Sequence, residues 1–208
     1  MSVAVQQEAR LLLLSPASTV VCMYGSDDIY IRNPATREEI ALPRKSSGFR
    51  STVHGGHAVA FAYLPSVGEY KVLRVFLSFC SSHQHFRSEV FTLGSGRWRQ
   101  KEGPPFWVHD ENSAVVVGEA VHFLPSIFTM GLPVSAVADL QDDDNEAIAR
   151  FDLKEEEWSN LPLPGIRHFS QDSHDDVLGF RLTRLGGSLC MECSGPSRVD
   201  LWLLEEEA

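Results

Sequence analysis

The chain has 208 residues, 43% of them apolar, and its 28 acidic and 18 basic side chains give a net charge of −10. That is a globular composition, which excludes general disorder or a tail-like polyanion. A sequence pI of 5.2 argues against a nucleic-acid binder, whose affinity comes from neutralising phosphates.

The longest strictly apolar runs, residues 11–14 and 20–24, fall far short of the roughly 20 residues a membrane-spanning helix needs. The first run is also shorter than a signal-peptide core, and Glu8 sits where its basic start belongs. Four cysteines are too sparse for a disulfide framework. The expectation is a soluble intracellular protein, cytoplasmic or nuclear, with neither membrane nor nucleic acid as partner. Charge is uneven along the chain: residues 29–101 carry 11 basic and 4 acidic side chains, residues 102–208 carry 6 and 21. One reading is a pair of solvated faces; the sharper one is a two-signed surface that orients a protein partner.

In chain order, the first strand pattern is Ile29-Tyr30-Ile31-Arg32, followed after Asn33-Pro34-Ala35-Thr36 by Ile40 and closed at Leu42-Pro43. Two apolar runs, residues 57–63 and 71–79, then flank the turn Pro65-Ser66-Val67-Gly68. Glu89-Val90-Phe91-Thr92-Leu93 leads through Gly94-Ser95-Gly96 to Trp98 and stops at Pro104-Pro105. Residues 114–117 and 120–124 flank Gly118-Glu119, and residues 125–145 form a long connection with room for a helical turn over 134–141. Ala149-Arg150-Phe151-Asp152-Leu153 leads to Trp158 and Pro162; residues 182–185 and 188–193 flank Gly186-Gly187; Val199-Asp200-Leu201-Trp202-Leu203-Leu204 comes last.

Aligned on Ile31, Phe91, Phe151 and Trp202, these units recur at intervals of 60, 60 and 51. Each is a strand, a tight polar turn and a second strand with a large apolar residue, and the first three then reach prolines, which suit the exit from an edge strand. The pairs between them are small and apolar on both faces, as buried strands are. Four short strands per unit at this period predict an all-β propeller of about three to four blades, inner pairs at the axis and outer hairpins at the rim. A β-sandwich is the competing architecture.

Residues 29–44 (IYIRNPATREEIALPR), 58–75 (AVAFAYLPSVGEYKVLRV), 88–100 (SEVFTLGSGRWRQ), 114–125 (AVVVGEAVHFLP), 148–164 (IARFDLKEEEWSNLPLP) and 199–206 (VDLWLLEE) together resemble the plant F-box-associated interaction domain. The resemblance runs from about Leu11 onward. It implies a kelch-like propeller, partial here, over residues 11–208, that captures protein substrates for a Skp1–cullin–F-box ubiquitin ligase. Residues 1–10 are short and polar and unlike the Leu/Pro-rich F-box helices that dock Skp1, so a Skp1 contact is not expected of them. The last hairpin stops where the family continues.

No catalytic residue, cofactor-binding residue or metal ligand is assigned, and no partner-binding residue is singled out by the strings above. Cys190-Met191-Glu192-Cys193 lacks a second matching pair, and a strand puts its thiols on opposite faces, unlike a zinc knuckle. Cys80 with His83 and His85, and His54 with His57, offer two or three ligands each but read as loop residues. Asp142-Asp143-Asp144-Asn145-Glu146 has Ala147 and Leu153 where a calcium loop needs Gly and Glu. No nucleophile elbow or phosphate loop is present. Trp98, Trp158 and Trp202 occupy repeat positions and read as core; Trp107, outside the repeat, reads as a candidate contact residue on an exposed loop. The expectation is a non-enzymatic protein-interaction module. Its rivals are a propeller that acts on or binds glycans, and a truncated product of little activity.

Overall fold

The computed structural model describes residues 10–12, 20–24, 28–43, 57–80, 83–108, 114–125, 147–163, 179–195 and 198–204. Among them are fifteen strands and no helix. Sheet I comprises β1 (Arg10–Leu12), β2 (Val21–Tyr24), β3 (Ile29–Arg32) and β4 (Glu39–Ala41). Sheet II comprises β5 (His57–Leu64), β6 (Glu69–Cys80), β7 (His83–Thr92) and β8 (Trp98–Glu102). Sheet III holds β9 (Val115–Val117), β10 (Ala120–Phe123), β11 (Ala147–Asp152) and β12 (Glu157–Pro162), and sheet IV holds β13 (Gly179–Leu185), β14 (Ser188–Ser194) and β15 (Val199–Leu204). Within each sheet the strands pair antiparallel in sequence order, a meander with no crossover. The segment 126–146, with the expected helical turn, lies outside the described residues.

Consecutive sheets stack face to face. Val59, Phe61, Val72 and Phe91 of sheet II pack on Cys22, Tyr24, Ile29 and Ile31 of sheet I. The other face of sheet II, with Ala60, Leu73 and Val90, packs on Val121, Phe123 and Phe151 of sheet III. Sheet III in turn offers Ile148 to Leu182, Leu189 and Met191 of sheet IV. β9 lies against both β5 and β13 on the inner side, and β8 meets β12 on the outer side. Sheets so arranged radiate from an axis, as in a propeller, instead of layering flat. A strand in the middle of such a stack is covered on both faces, which is why β5 reads Ala58-Val59-Ala60-Phe61-Ala62 with every residue buried.

The expected hairpins form, and the third-to-fourth-strand turn repeats in detail. Asn33 Oδ1 accepts hydrogen bonds from the amides of Ala35 (3.0 Å) and Thr36 (3.3 Å). Asp152 Oδ1 does the same for Lys154 (2.9 Å) and Glu155 (3.0 Å), the side-chain-to-backbone bond that makes Asn and Asp turn residues. Four residues after Asn33, Thr92 and Asp152 the chain turns left-handed, at Arg37 (φ 63°), Gly96 (φ 74°) and Glu156 (φ 60°).

This geometry corrects one sequence alignment. Asn33, Thr92 and Asp152 are equivalent, so Phe91 and Phe151 correspond to Arg32, not to Ile31. The cross-strand pairs Arg32↔Glu39, Phe91↔Trp98 and Phe151↔Trp158 are then all seven residues apart. Ile31 faces sheet II, whereas Phe91 and Phe151 face the sheet before their own; a one-residue slip in a strand reverses the face.

Candidate interaction surface and the joints beneath it

Strand direction sorts the connections into two ends. At one end lie the short turns 33–38, 65–68, 93–97, 118–119, 153–156 and 186–187; at the other the chain leaves sheets I, II and III after β4, β8 and β12 and enters the next sheet at β5, β9 and β13. Rigid sheets that gather their long connections at one end are a common way of presenting binding residues.

Trp107 belongs to that long-connection end. From Pro104 to Val108 the chain bends at Pro105 and Phe106, and burial alternates: Pro104, Phe106 and Val108 are buried, Pro105 and Trp107 exposed. Phe106 and Val108 join the core between sheets II and III, and Val108 bridges to Pro125. Trp107 is left 54% exposed, braced edge-to-face on Phe86 with ring centroids 5.2 Å apart. Behind it the chain passes so close to β7 that a Cβ on Gly103 would collide with the Phe86 carbonyl; no other residue fits there without a shift. An exposed Trp held in a fixed orientation is a contact residue of the hot-spot type.

The other sequence candidates separate. His57 begins β5, while Cys80 pairs with His83 and Ser78 with His85 at the β6–β7 turn, so these positions share the long-connection end of sheet II. His54 and residues 142–146 lie outside the described residues. No group of three metal-ligating side chains gathers among the described residues. The two thiols of Cys190 and Cys193 stand on opposite faces of β14, each buried and unbridged. Burial pushes Cys193 up to about 11 and Cys22 up to about 12, which keeps both as inert thiols. Trp98 and Trp158 are half-buried against the core, packed on Phe91 (5.2 Å) and Phe151 (4.9 Å). Trp202 sits on β15 at the Phe91 position and stays 38% exposed.

Polar contacts hidden from sequence reading join the sheets. The indole N–H of Trp98 donates to the Pro43 carbonyl just past β4 (2.7 Å), and that of Trp158 donates to the Glu102 carbonyl ending β8 (2.9 Å). Each outer strand is thereby hooked to the one before it. Glu119, in the β9–β10 turn, accepts from the amide (2.8 Å) and hydroxyl (2.7 Å) of Ser66 in sheet II. Arg74 and Glu89, both buried, pair at 2.8 Å inside sheet II, with the guanidinium 5.0 Å from the Phe76 ring and 5.4 Å from that of Trp98.

Glu156 is the strongest electrostatic joint. Its left-handed turn carries the carboxylate into sheet II, where Lys71 (3.0 Å), Lys101 (2.9 Å) and Arg99 all donate to it. Lys71 also donates to the Leu153 carbonyl at 2.7 Å. Burial alone would raise this carboxyl, but the hydrogen bonds from Arg99, Lys101 and Lys71 outweigh it and lower Glu156 to about 2. Part of the charge asymmetry seen along the sequence is therefore spent inside the molecule, basic sheet II against acidic sheet III.

The whole chain, residues 1–208, matches the family model of the F-box associated beta propeller domain. The chain belongs to that family. Among solved structures it is similar to the one titled "Structure of YjhT", at 12% identity and a TM-score of 0.46, over 93% of this chain and 68% of that one. No curated protein matches it. Among the described residues no helix is long and apolar enough to cross a membrane.

Proposed function

We propose that this domain is a kelch-like substrate-recognition module of an SCF-type ubiquitin ligase of the plant kind, working inside the cell by binding a protein and not by catalysis. Membership of the F-box associated beta propeller family carries this reading, and the braced, exposed Trp107 at the long-connection end supports it. The recognition step is docking of a partner's apolar side chain against Trp107 and Phe86. No contact with Skp1 is assigned to residues 1–10, which do not resemble an F-box.

The test fuses the chain to an F-box and supplies it with Skp1, cullin and plant extract. Proteins that the fusion ubiquitinates should be lost with Trp107→Ala and retained with Val67→Ala, a change in the β5–β6 turn at the opposite end. An unchanged set of ubiquitinated proteins with Trp107→Ala would remove the assigned surface. Ubiquitination no greater than with the F-box alone would remove the function.

A further inference from the structure

Among the described residues the two end sheets have one face each without a neighbouring sheet, and the two faces differ. That of sheet I carries Arg32 opposite Glu39, both exposed. That of sheet IV carries Leu185 (50% exposed), Val199 (57%), Leu201 (56%) and Leu203 (60%). Three of these four lie on β15, the outer strand of sheet IV among the described residues. Edge strands elsewhere are defended by charge, proline or shortness; β15 runs six residues with Asp200 as its one charge, and that charge is paired with Arg198 at 3.2 Å.

Which partner fits follows from charge and register. Head-to-tail stacking on a second molecule would press the leucines onto Arg32 and Glu39 and desolvate both charges, so that arrangement is unfavourable. Strand β15 is instead complementary to itself. Run antiparallel about a twofold at Leu201, it sets Leu201 against its own copy and Val199 against Leu203, twice. On the other face Asp200 then stands opposite Trp202, avoiding the like-charge pair that a twofold at Asp200 would create. Sheet IV is also nearly neutral, with Arg181, Arg184 and Arg198 against Glu192 and Asp200, although the whole chain is at −10.

We infer that β15 is a dimerisation strand: two copies of this chain pair β15 antiparallel to β15 across a twofold at Leu201, extending sheet IV from one molecule into the next. The apolar rows of the two copies merge and the edge amides and carbonyls find partners. Because each copy is acidic overall, added salt screens their repulsion and tightens the pair. The inference is independent of the recognition role assigned to Trp107.

Sedimentation equilibrium of the full chain over a range of concentration and salt tests it. The expected result is a monomer–dimer equilibrium that tightens with salt. Leu201→Lys should weaken it by about tenfold or more, because like charges then face each other across the twofold, while Val67→Lys leaves it intact. Leu201→Cys supplies a milder second variant: mild oxidation should join it to its own copy, and Leu185→Cys, on the far edge of the sheet, should not be joined. A chain that stays monomeric, a dimer indifferent to Leu201→Lys, or equal cross-linking from position 185 would each overturn the pairing.

Discussion

Sheets I and IV stand at the two ends of the stack among the described residues, yet one outward face is charged and the other apolar. At the position where sheets II and III carry Phe91 with Trp98 and Phe151 with Trp158, sheet I carries Arg32 with Glu39. Two exposed charged residues replace the aromatic pair on a face that no sheet covers among the described residues, as terminal units of stacked repeats require. Sheet IV presents leucines where a further sheet would be received. The comparison teaches that this fold writes a face for its neighbour: apolar if a sheet is to be stacked on it, charged if water is.

The largest effect should separate covered from uncovered faces of equal hydrophobicity. Phe151→Ala empties the fully buried centre of the joint between sheets II and III and should cost about 3–5 kcal/mol in denaturant unfolding. Leu203→Ala, 60% exposed on the outward face of sheet IV, should cost no more than about 0.5 kcal/mol. Equal losses would break the comparison.

Next comes Glu156→Gln, which leaves Lys71, Arg99 and Lys101 facing one another. With Lys71 buried and the other two side chains about a third exposed, a loss of about 2–3 kcal/mol at neutral pH is expected. The pH dependence has a definite sign. Folding lowers Glu156 from its ordinary value of 4.5 to about 2, so its stabilisation is complete above pH 4.5 and is lost as pH falls toward 2. Unfolding curves of parent and Glu156→Gln proteins should converge across that window; a constant gap would show that the carboxylate's charge is not what joins the sheets.

Smaller still is Trp158→Phe, which keeps a ring on Phe151 but removes the N–H that holds Glu102; about 1 kcal/mol should be lost. Smallest in stability is the exchange of Arg32 for Phe together with Glu39 for Trp, which writes the aromatic pair of sheets II and III onto sheet I. Unfolding free energy should move by less than about 0.5 kcal/mol, while light scattering should report new self-association. A doubly substituted chain that stays monodisperse would show that these two charged residues are not a cap.

Strand content, the order of hairpins and the propeller class were legible because they rest on local signals: alternation, Gly and Pro at turns, and a unit recurring every 60 residues or so. The first unit was misread because its apolar residues, Ile31 and Ile40, serve the opposite face. The legible clue was spacing, since Arg32 to Glu39 repeats the interval of Phe91 to Trp98. Trp107 stood out as an aromatic residue outside the frame, but its exposure depends on Phe106 and Val108 being drawn into a core built from two sheets. Glu156 was unreadable: one Glu among three in a polar turn, distinguished by a left-handed backbone and three cations from strands far away in sequence.

By itself, then, the sequence determined which residues become strands, where they turn and that they repeat, since period and turn chemistry act between neighbours along the chain. Tertiary structure decided which face of each strand meets another sheet, which charges are neutralised inside, and which leucines remain at the rim. Those outcomes depend on groups brought together from different sheets, and no local pattern encodes a distance between them.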